Sequence, residues 1–531
     1  MELFIKILLI VLFFAATIYI GFYCRKKAAN SNDFMLGGRS VGPWLSAFAY
    51  GTSYFSAVIF IGYAGSFGWK FGVSALWIGI GNALVGSLLA WVVLGRRTRL
   101  ITQRMNSATM PDFFGKRFNS KPLKIFAAVI VSVFLIPYTA ALYNGLSSLF
   151  ATAFGFDQYF VWILIISVIT GVYVIIGGLM STAVNSFIQG LIMLVGIVLV
   201  VIFALNANGG LMGSMEALSK EGWQFSSIFG SDPVHLVFVV ILTSLGTWGL
   251  PQMVSKFYSI SNEAQIRKGT IISTLFAIIV AGGCYFIGGF GRLFVEATEA
   301  GAPVGGTSNV IPQMVTSLID NNILNALMVG LVVVLVLAAS MSTLSSLVIA
   351  SASTVVVDLV GSYKELEEKK RMWLLRGLIV AFIVISAALA IFQIYGPEKL
   401  TNDIASLMGI SWGAISGAFI GPFLYGLYWK KTTKASVWAS FISGVVIALA
   451  SVVFKFAGLG SNGTFIGTFL SDSIYMGVVA MLFSLIIVPV VSSFTKAPEE
   501  AFVNDLFSCF EAQAANVVEA KEEKIVDLKT E

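Results

Sequence analysis

The stretch from residue 47 to residue 65, AFAYGTSYFSAVIFIGYAG, decides how the rest of this sequence is interpreted. It lies within an apolar segment long enough to cross a bilayer, but small and hydroxyl residues concentrate at its middle, from Tyr50 to Ser56. Such residues favour a local break in a helix, and backbone carbonyls freed there are tolerated only where they face a cavity inside the protein. Small residues also let helices pack closely, so a helix–helix contact is the alternative interpretation.

The composition places this chain in a membrane. Of its 531 residues, 57% are hydrophobic and only 11% are charged, with a mean hydropathy of +0.89. A soluble domain carries roughly a quarter charged residues. The formal net charge of +6 is therefore no sign of nucleic-acid binding, and no nucleic acid is expected as a partner. Three widely separated cysteines and one histidine, His235, form neither a disulfide framework nor a metal-ligand spacing.

Windows of about 20 apolar residues predict an all-α integral membrane protein with about 13 transmembrane helices. The first is followed, not preceded, by a basic cluster, so we interpret it as a spanning helix instead of a signal peptide. The predicted spans lie near residues 3–24, 43–68, 73–95, 123–153, 158–178, 181–206, 233–259, 269–291, 323–356, 372–395, 403–428, 435–457 and 473–494.

The distribution of lysine and arginine predicts the orientation of the chain. With the N-terminus outside, the loops that face the cytoplasm hold the basic clusters at residues 25–27, 96–124, 267–268, 369–371 and 430–434. Assigning each cation to one side or the other puts about 27 of the 33 inside, as the positive-inside rule requires. The odd number of spans then puts the C-terminus inside. The Glu/Lys-rich end, residues 519–531, is expected to be solvated and disordered.

Two blocks of five predicted spans, residues 43–206 and 233–428, cross the membrane in opposite senses because five is an odd number. This is the condition for an inverted repeat. Glycine and proline also interrupt the first span of the second block, between Thr243 and Pro251. Interruptions at corresponding positions of two repeats indicate a binding site near the middle of the bilayer, as in secondary transporters.

The predicted organisation has six parts. Residues 1–42 form an extra N-terminal transmembrane helix with a cytoplasmic loop, and residues 207–232 form an extracellular loop between the two five-helix repeats. After the repeats come two extra C-terminal transmembrane helices and a cytoplasmic charged tail, at residues 429–494 and 495–531.

A second stretch rich in small and hydroxyl residues, AASMSTLSS, lies at residues 338–346. Spacing of i, i+3, i+4 and i+7 puts four of its residues on one helix face: Ala339, Ser342, Thr343 and Ser346. Two hydroxyls and a carbonyl of this face, with carbonyls freed near Thr52 and Phe55, could surround a hard monovalent cation. Hydroxyls in membrane helices also bond the i−4 carbonyl of their own helix, which is the alternative.

Several short motifs occur in an order that points to a known family. They are DFMLGGRS at residues 33–40, MPDFF at 110–114, GG at 177–178, MSTLS at 341–345 and GLYWK at 426–430. With these motifs the chain resembles the sodium/solute symporter family, and within it the bacterial sodium/proline and sodium/pantothenate symporters. The resemblance implies a leucine-transporter-like 5+5 inverted repeat, and sodium-coupled import of a small organic solute across the plasma (inner) membrane.

The resemblance also implies two sites. In the family, one sodium ion is bound by carbonyls of the first broken helix and by a carbonyl and two hydroxyls of the eighth core helix. The matching positions here are Thr52, Phe55, Ala339, Ser342 and Thr343. The family's solute site lies between the two broken helices and the third core helix. Its matching positions here are Ser53, Tyr54, Ser56, Tyr138, Thr247, Trp248 and Pro251.

The chain departs from the proline carriers at several positions. Tyr54 stands where those carriers have an aspartate, and Ser186 stands where many family members have one in the fifth core helix. Thr243 and Thr247 stand where proline carriers have aromatic residues, and residues 249–251 are more similar to the pantothenate carriers. An amino acid such as proline is the favoured solute, and pantothenate or another monocarboxylate is the alternative.

No Asp or Glu lies near the centre of a predicted span, which argues against a carboxylate proton relay and against an intramembrane enzyme. Lys256 and Arg292 lie near predicted span ends, where a long side chain can extend to the membrane surface. The sequence predicts no catalytic residue and no cofactor besides the co-transported sodium ion. The expected partners are sodium, a small organic solute and the lipid bilayer, with no obligate protein partner evident.

A non-transporting membrane sensor with the same fold is an alternative of another class. An appended output domain would favour it. The tail after Lys496 has about 35 residues, below the roughly 50-residue lower limit of a domain, so transport is the favoured interpretation.

Overall fold

The computed structural model of the protein describes residues 2–25, 30–299, 301–318, 322–396 and 404–510. Within these ranges the chain is helical, and the only β-type pairings are two isolated bridges, Val41 with Ile260 and Ala297 with Pro303. The prediction of an all-α chain is therefore confirmed for the described residues. The predictions made for residues 26–27 and 519–531 lie outside them.

Ten helices of the described residues are long and apolar enough to cross a membrane. Their bounds are Glu2–Cys24, Val58–Arg104, Lys121–Phe154, Tyr159–Asn206, Glu263–Gly289, Ile323–Ser362, Glu368–Tyr395, Ile404–Tyr428, Lys434–Phe456 and Ser473–Phe494. One further pair, Pro233–Gly249 and Pro251–Tyr258, meets the same criteria together and is bent by 46°. Shorter helices connect them: Ser31–Leu36, Pro43–Tyr54, Met110–Arg117, Gly210–Glu221, Trp223–Ser226, Val310–Thr316 and Phe465–Ser471.

Two of the ten helical runs are interrupted by a glycine. Tyr159–Asn206 contains Gly178 at φ 55° and ψ −155°, and Val58–Arg104 contains Gly72 at φ 64° and ψ −142°. Only glycine adopts such angles without steric cost. A helix of 48 residues would be about 72 Å long, whereas the hydrocarbon core of a bilayer is about 30 Å thick. Each run therefore has the length of two membrane-spanning helices.

The first broken helix comprises residues 43–71. Its first half, Pro43–Tyr54, ends where Phe55 turns extended at φ −99° and ψ 106°, and helix resumes after Ser56. The break falls within the polar segment that the sequence singled out. The second half begins as a π-helix, Val58–Tyr63, and continues to Phe71.

The second broken helix comprises residues 233–258. Pro233–Leu245 passes through a 3₁₀ turn, Gly246–Gly249, and the chain becomes extended at Leu250, at φ −87° and ψ 121°. Pro251 then starts the second half. Because proline has no backbone N–H, the helical hydrogen-bond pattern cannot pass through it, and the bend lies there.

A third helix, Asn322–Thr354, packs against both broken helices. It also contacts four of the long helices: Glu2–Cys24, Lys121–Phe154, Tyr159–Asn206 and Glu368–Tyr395. We call it the serine helix. Every residue from 332 to 349 is buried, so its hydroxyl groups have protein, not lipid, around them.

Residues 500–510 form a helix that the sequence analysis did not predict. Val503, Leu506 and Phe507 are buried, and Asp505 forms an ion pair with Arg104 at 2.5 Å. The first part of the C-terminal tail is therefore packed against the end of the 58–104 run.

Candidate functional site

The serine helix meets the break of the first broken helix at a group of buried oxygen atoms. Thr343 Oγ1 lies 3.2 Å from the carbonyl oxygen of Thr52, 3.3 Å from that of Ser53 and 3.1 Å from that of Ala339. One hydroxyl thus faces three carbonyls from two distant parts of the chain. Backbone carbonyls and hydroxyls are the ligands that hard cations prefer.

A second hydroxyl lies beside the first. Ser342 Oγ lies 2.7 Å from Thr52 Oγ1 and also 2.7 Å from Ser186 Oγ. The sequence had singled out Ser186 only as a position where many relatives carry an aspartate. Its hydroxyl nevertheless reaches Ser342, so Ser186 belongs to this neighbourhood. Phe55 lies at the break itself, three residues beyond Thr52, and its ring stacks on that of Tyr54 at 4.4 Å between centroids.

Unpartnered polar groups lie together beside this oxygen-lined site. The hydroxyls of Ser56 and Tyr138 and the indole N–H of Trp412 are buried, and none completes a hydrogen bond of normal geometry within the described residues. The rings of Tyr138 and Trp412 meet edge to face at 5.8 Å, and Trp412 also lies 6.3 Å from the ring of Tyr54. Buried polar groups are normally hydrogen-bonded, so such a set is suited to a bound polar molecule.

Sequence analysis missed Trp412. It lies in Ile404–Tyr428, an apolar helix whose pattern offers no local sign of a binding residue. Only the tertiary contact with Tyr138 reveals it.

The remaining predicted solute residues lie in other neighbourhoods. Trp248 Nε1 donates to the Val85 carbonyl at 3.0 Å, and Thr247 Oγ1 donates to the Ser244 carbonyl at 2.9 Å. Ser53 Oγ lies 2.9 Å from Ser346 Oγ, on the side of the serine helix. The seven predicted residues are therefore distributed over three adjoining regions.

Tyr54 and Pro251 complete this distribution. Tyr54 donates its hydroxyl to the Thr243 carbonyl at 2.5 Å, which joins the two broken helices. Pro251 lines a small cavity together with Ser346 and Lys256.

Lys256 contradicts its sequence-based expectation. It does not extend to the membrane surface: the residue is 5% exposed, and its ammonium group donates to Ser346 Oγ at 2.8 Å. The side chain points inward because a hydroxyl of the serine helix, 90 residues further on, is within its reach.

The opposite ends of the broken helices open into a larger cavity of about 680 Å³. Arg292 lines it, with its guanidinium stacked 4.3 Å from the ring centroid of Trp69 and 3.8 Å from that of Phe225. Lys70 and Asp232 form an ion pair at 3.1 Å on the same cavity. The guanidinium of Arg292 is thus held by two aromatic rings at this cavity, which Tyr138 does not line.

Helical structure throughout the described residues, many apolar spans, two broken helices, and a buried oxygen-lined site where one of them meets the serine helix are the features of a secondary transporter. The model of the sodium:solute symporter family matches residues 34–444, and the chain belongs to this family. The predicted resemblance is confirmed, and so is the prediction of a sodium-coupled symporter that imports a solute and co-transports sodium.

Two relatives cover nearly the whole chain. The osmoregulated proline transporter of Bacillus subtilis is 28% identical over 493 residues, which is 92% of this chain and 95% of that protein. The sodium/proline symporter of Staphylococcus aureus is 29% identical over 513 residues, which is 94% of each chain.

Solved structures share the fold. The substrate-bound, outward-open structure of a Na⁺-coupled sialic acid symporter superimposes with a TM-score of 0.70 at 16% identity, covering 93% of this chain and 99% of that one. The structure of MhsT with L-phenylalanine gives 0.53 at 14% identity, covering 84% and 98%. These likenesses concern the fold alone, and they support the predicted leucine-transporter-like class.

Proposed function

We propose that the protein imports a small zwitterionic solute, an amino acid such as proline, together with sodium across the plasma (inner) membrane. The observation that carries this proposal is the group of unpartnered polar side chains, Ser56, Tyr138 and Trp412, beside a buried set of oxygen atoms. Two relatives that match more than nine-tenths of the chain are named as proline transporters, which supports the same solute.

The proposed sodium site consists of the carbonyls of Thr52, Phe55 and Ala339 and the hydroxyls of Ser342 and Thr343. It is supported by the approach of Thr343 Oγ1 to the carbonyls of Thr52 and Ala339, at 3.2 Å and 3.1 Å. A cation placed among these oxygens would replace the hydrogen bonds that Thr343 now donates to carbonyls and that Ser342 shares with other hydroxyls, so that the lone pairs of both turn toward it.

The proposed solute site comprises the seven positions implied by the family resemblance, to which we add Trp412. They are Ser53, Tyr54, Ser56, Tyr138, Thr247, Trp248 and Pro251. Aromatic rings at Tyr138 and Trp412 would cover an apolar ring or chain, while the hydroxyl and indole groups bond its polar end.

Coupling between sodium binding and solute binding follows from the position of the break in the first broken helix. Ser53 supplies a carbonyl beside Thr343, and Ser56, three residues further on, carries one of the unpartnered hydroxyls. An ion that orders the break therefore also orders part of the solute site. Linkage then requires that each ligand strengthen the binding of the other by the same factor.

We further propose 13 spans, with the N-terminus outside and the C-terminus inside, and two five-helix inverted repeats at residues 43–206 and 233–428. The count is supported by the glycine breaks at Gly72 and Gly178, which divide the two longest helical runs. The first repeat begins with the broken helix at residues 43–71 and the second with the one at 233–258, as an internal repeat requires.

The alternative solute is pantothenate or another monocarboxylate. Tyr54 and Thr247 favour it, because proline carriers have an aspartate and an aromatic residue there. The alternative of another class, a sensor without transport, keeps the same sites but moves no solute.

Reconstituted vesicles test the proposal. Purified protein in liposomes is given an inward sodium gradient and radiolabelled proline, with potassium in place of sodium as the control. We expect proline to accumulate above its equilibrium level only with sodium, and unlabelled proline but not pantothenate to compete. Competition by pantothenate would establish the alternative solute. A ligand that raises the melting temperature of the protein but is never accumulated would indicate the sensor.

A further inference from the structure

Lys256 is a buried cation with no carboxylate partner in the part of the chain that the structure describes. It lies in the last turn of the second broken helix, and the residue is 5% exposed. Among the residues that the structure describes, no carboxylate lies within 4 Å of its ammonium group. An ionisable side chain inside a membrane protein is costly unless it is paired, so its presence calls for a function.

Among the described residues, the ammonium group has one hydrogen bond, and it leads toward the proposed sodium site. Lys256 Nζ donates to Ser346 Oγ at 2.8 Å, and Ser346 Oγ donates to the Ser342 carbonyl at 3.0 Å. Ser53 Oγ lies 2.9 Å from Ser346 Oγ. A hydroxyl has one proton and two acceptor lone pairs, so Ser346 accepts from Lys256 and Ser53 while it donates to Ser342. Two hydrogen bonds thus connect the ammonium group to the backbone of Ser342, whose hydroxyl is a proposed sodium ligand.

Lys256 also lines a small cavity that touches the basic segment at residues 96–124. A cavity of about 30 Å³ is lined by Lys256, Ser346, Pro251, Thr109 and Met110. Its volume is about that of one water molecule. Thr109 and Met110 belong to the basic segment at residues 96–124, which the proposed topology puts in the cytoplasm.

We propose that Lys256 sets the sodium affinity of the transporter: its fixed positive charge weakens the binding of sodium at the neighbouring oxygen atoms and thereby speeds release of the ion. This inference rests on the proposed sodium site. Two positive charges repel each other strongly where water does not screen them, and no described carboxylate neutralises the lysine. Ser346 positions the ammonium group, because it anchors the end of a long flexible side chain.

Neutral variants of Lys256 test the inference. Lys256→Met removes the charge with little change in length, and Lys256→Gln can retain a hydrogen bond to Ser346. Both should lower the sodium concentration for half-maximal uptake by about fivefold or more. Maximal uptake should fall in the same variants, because a tightly held ion leaves slowly. Lys256→Arg keeps the charge and should keep the sodium constant within about twofold.

Sodium binding is measured in parallel without transport, as the rise in melting temperature of purified protein over a sodium titration. Lys455→Met is the matched control, because Lys455 is exposed at the end of Lys434–Phe456. It should leave the sodium constant unchanged.

The outcomes separate this inference from the proposed sodium site. If Thr343→Ala weakens sodium binding but neither neutral variant of Lys256 strengthens it, the inference is wrong and the site stands. If Thr343→Ala has no effect, the site itself is wrong. A neutral variant that weakens solute binding with an unchanged sodium constant would also overturn the inference, since the ammonium group then serves the solute.

Discussion

The hydroxyl oxygen of Thr343 lies 3.2 Å from the carbonyl oxygen of Thr52, a residue 291 positions earlier in the chain. The contact joins the serine helix to the first broken helix next to the break. Carbonyls in the last turn of a helix have no intrahelical partner, so the carbonyl of Thr52, near the end of Pro43–Tyr54, is well placed for such a contact. The position of the break therefore decides which oxygen atoms can serve an ion.

Removing either hydroxyl from this contact should weaken sodium binding. In Thr343→Ala and Ser342→Ala a cation would lack one ligand, and a lost bond to a charged group costs roughly 1.5–3 kcal/mol. This corresponds to a shift of about ten- to a hundredfold in the sodium concentration for half-maximal uptake. Uptake measured at several sodium concentrations gives that constant.

Thr343→Ser keeps the oxygen atom and serves as the control for this pair. It should be nearly neutral, and high sodium should partly restore uptake by the alanine variants. Alanine variants with an unchanged sodium dependence would show that the hydroxyls serve only the packing of the serine helix.

The unpartnered hydroxyl of Tyr138 should bond the solute. Tyr138→Phe keeps the ring that packs against Trp412 and removes only the hydroxyl. We expect a five- to tenfold rise in the solute constant, about 1–1.4 kcal/mol, with sodium binding in the absence of solute unchanged. Trp248→Ala should also raise the solute constant. Radiolabelled uptake at saturating sodium measures both.

Tyr143 provides the matched control on the same helix. Its hydroxyl is also buried and unpartnered within the described residues, but it lies more than a turn away from Tyr138. Tyr143→Phe should leave the solute constant unchanged. Equal effects of the two substitutions would place the solute elsewhere.

The helix breaks were predictable from the sequence because their causes are local. Glycine and serine around residue 51, and proline at residue 251, weaken helical bonding wherever they stand. The oxygen-lined site needed the family resemblance in addition, because spacing puts Ser342 and Thr343 on one helix face but does not reveal what that face contacts.

Features that depend on distant contacts were not predictable. A lysine near the end of a span can extend outward or inward, and only Ser346 decides the direction of Lys256. Trp412 lies in a helix whose apolar pattern is the same for packing and for binding.

The helix at residues 500–510, in contrast, could have been predicted from the sequence, since Val503, Leu506 and Phe507 follow helical spacing.

Close helix packing gives a prediction on stability. A Cβ atom on Gly288 would lie 2.2 Å from the carbonyl oxygen of Ala64, in the first broken helix. Neither backbone can yield easily, so Gly288→Ala should destabilise the protein by at least the roughly 1–3 kcal/mol typical of overpacking. Gly282, in the same helix, has nothing within 4 Å of the corresponding position. Gly282→Ala should therefore be neutral or slightly stabilising, and thermal unfolding in detergent compares the two.

The proposed topology is tested by labelling single cysteines from either side of the membrane. Cys24, Cys284 and Cys509 are first replaced, and Lys431→Cys and Lys220→Cys are made in that background. Both lysines are exposed, so either cysteine can react with a membrane-impermeant thiol reagent. The excess of cations on one side predicts that position 431 reacts only from the cytoplasm and position 220 only from outside. Labelling of position 431 from outside would reverse the orientation. Labelling of both positions from the same side would mean that an even number of spans lies between them. The two repeats would then not cross the membrane in opposite senses.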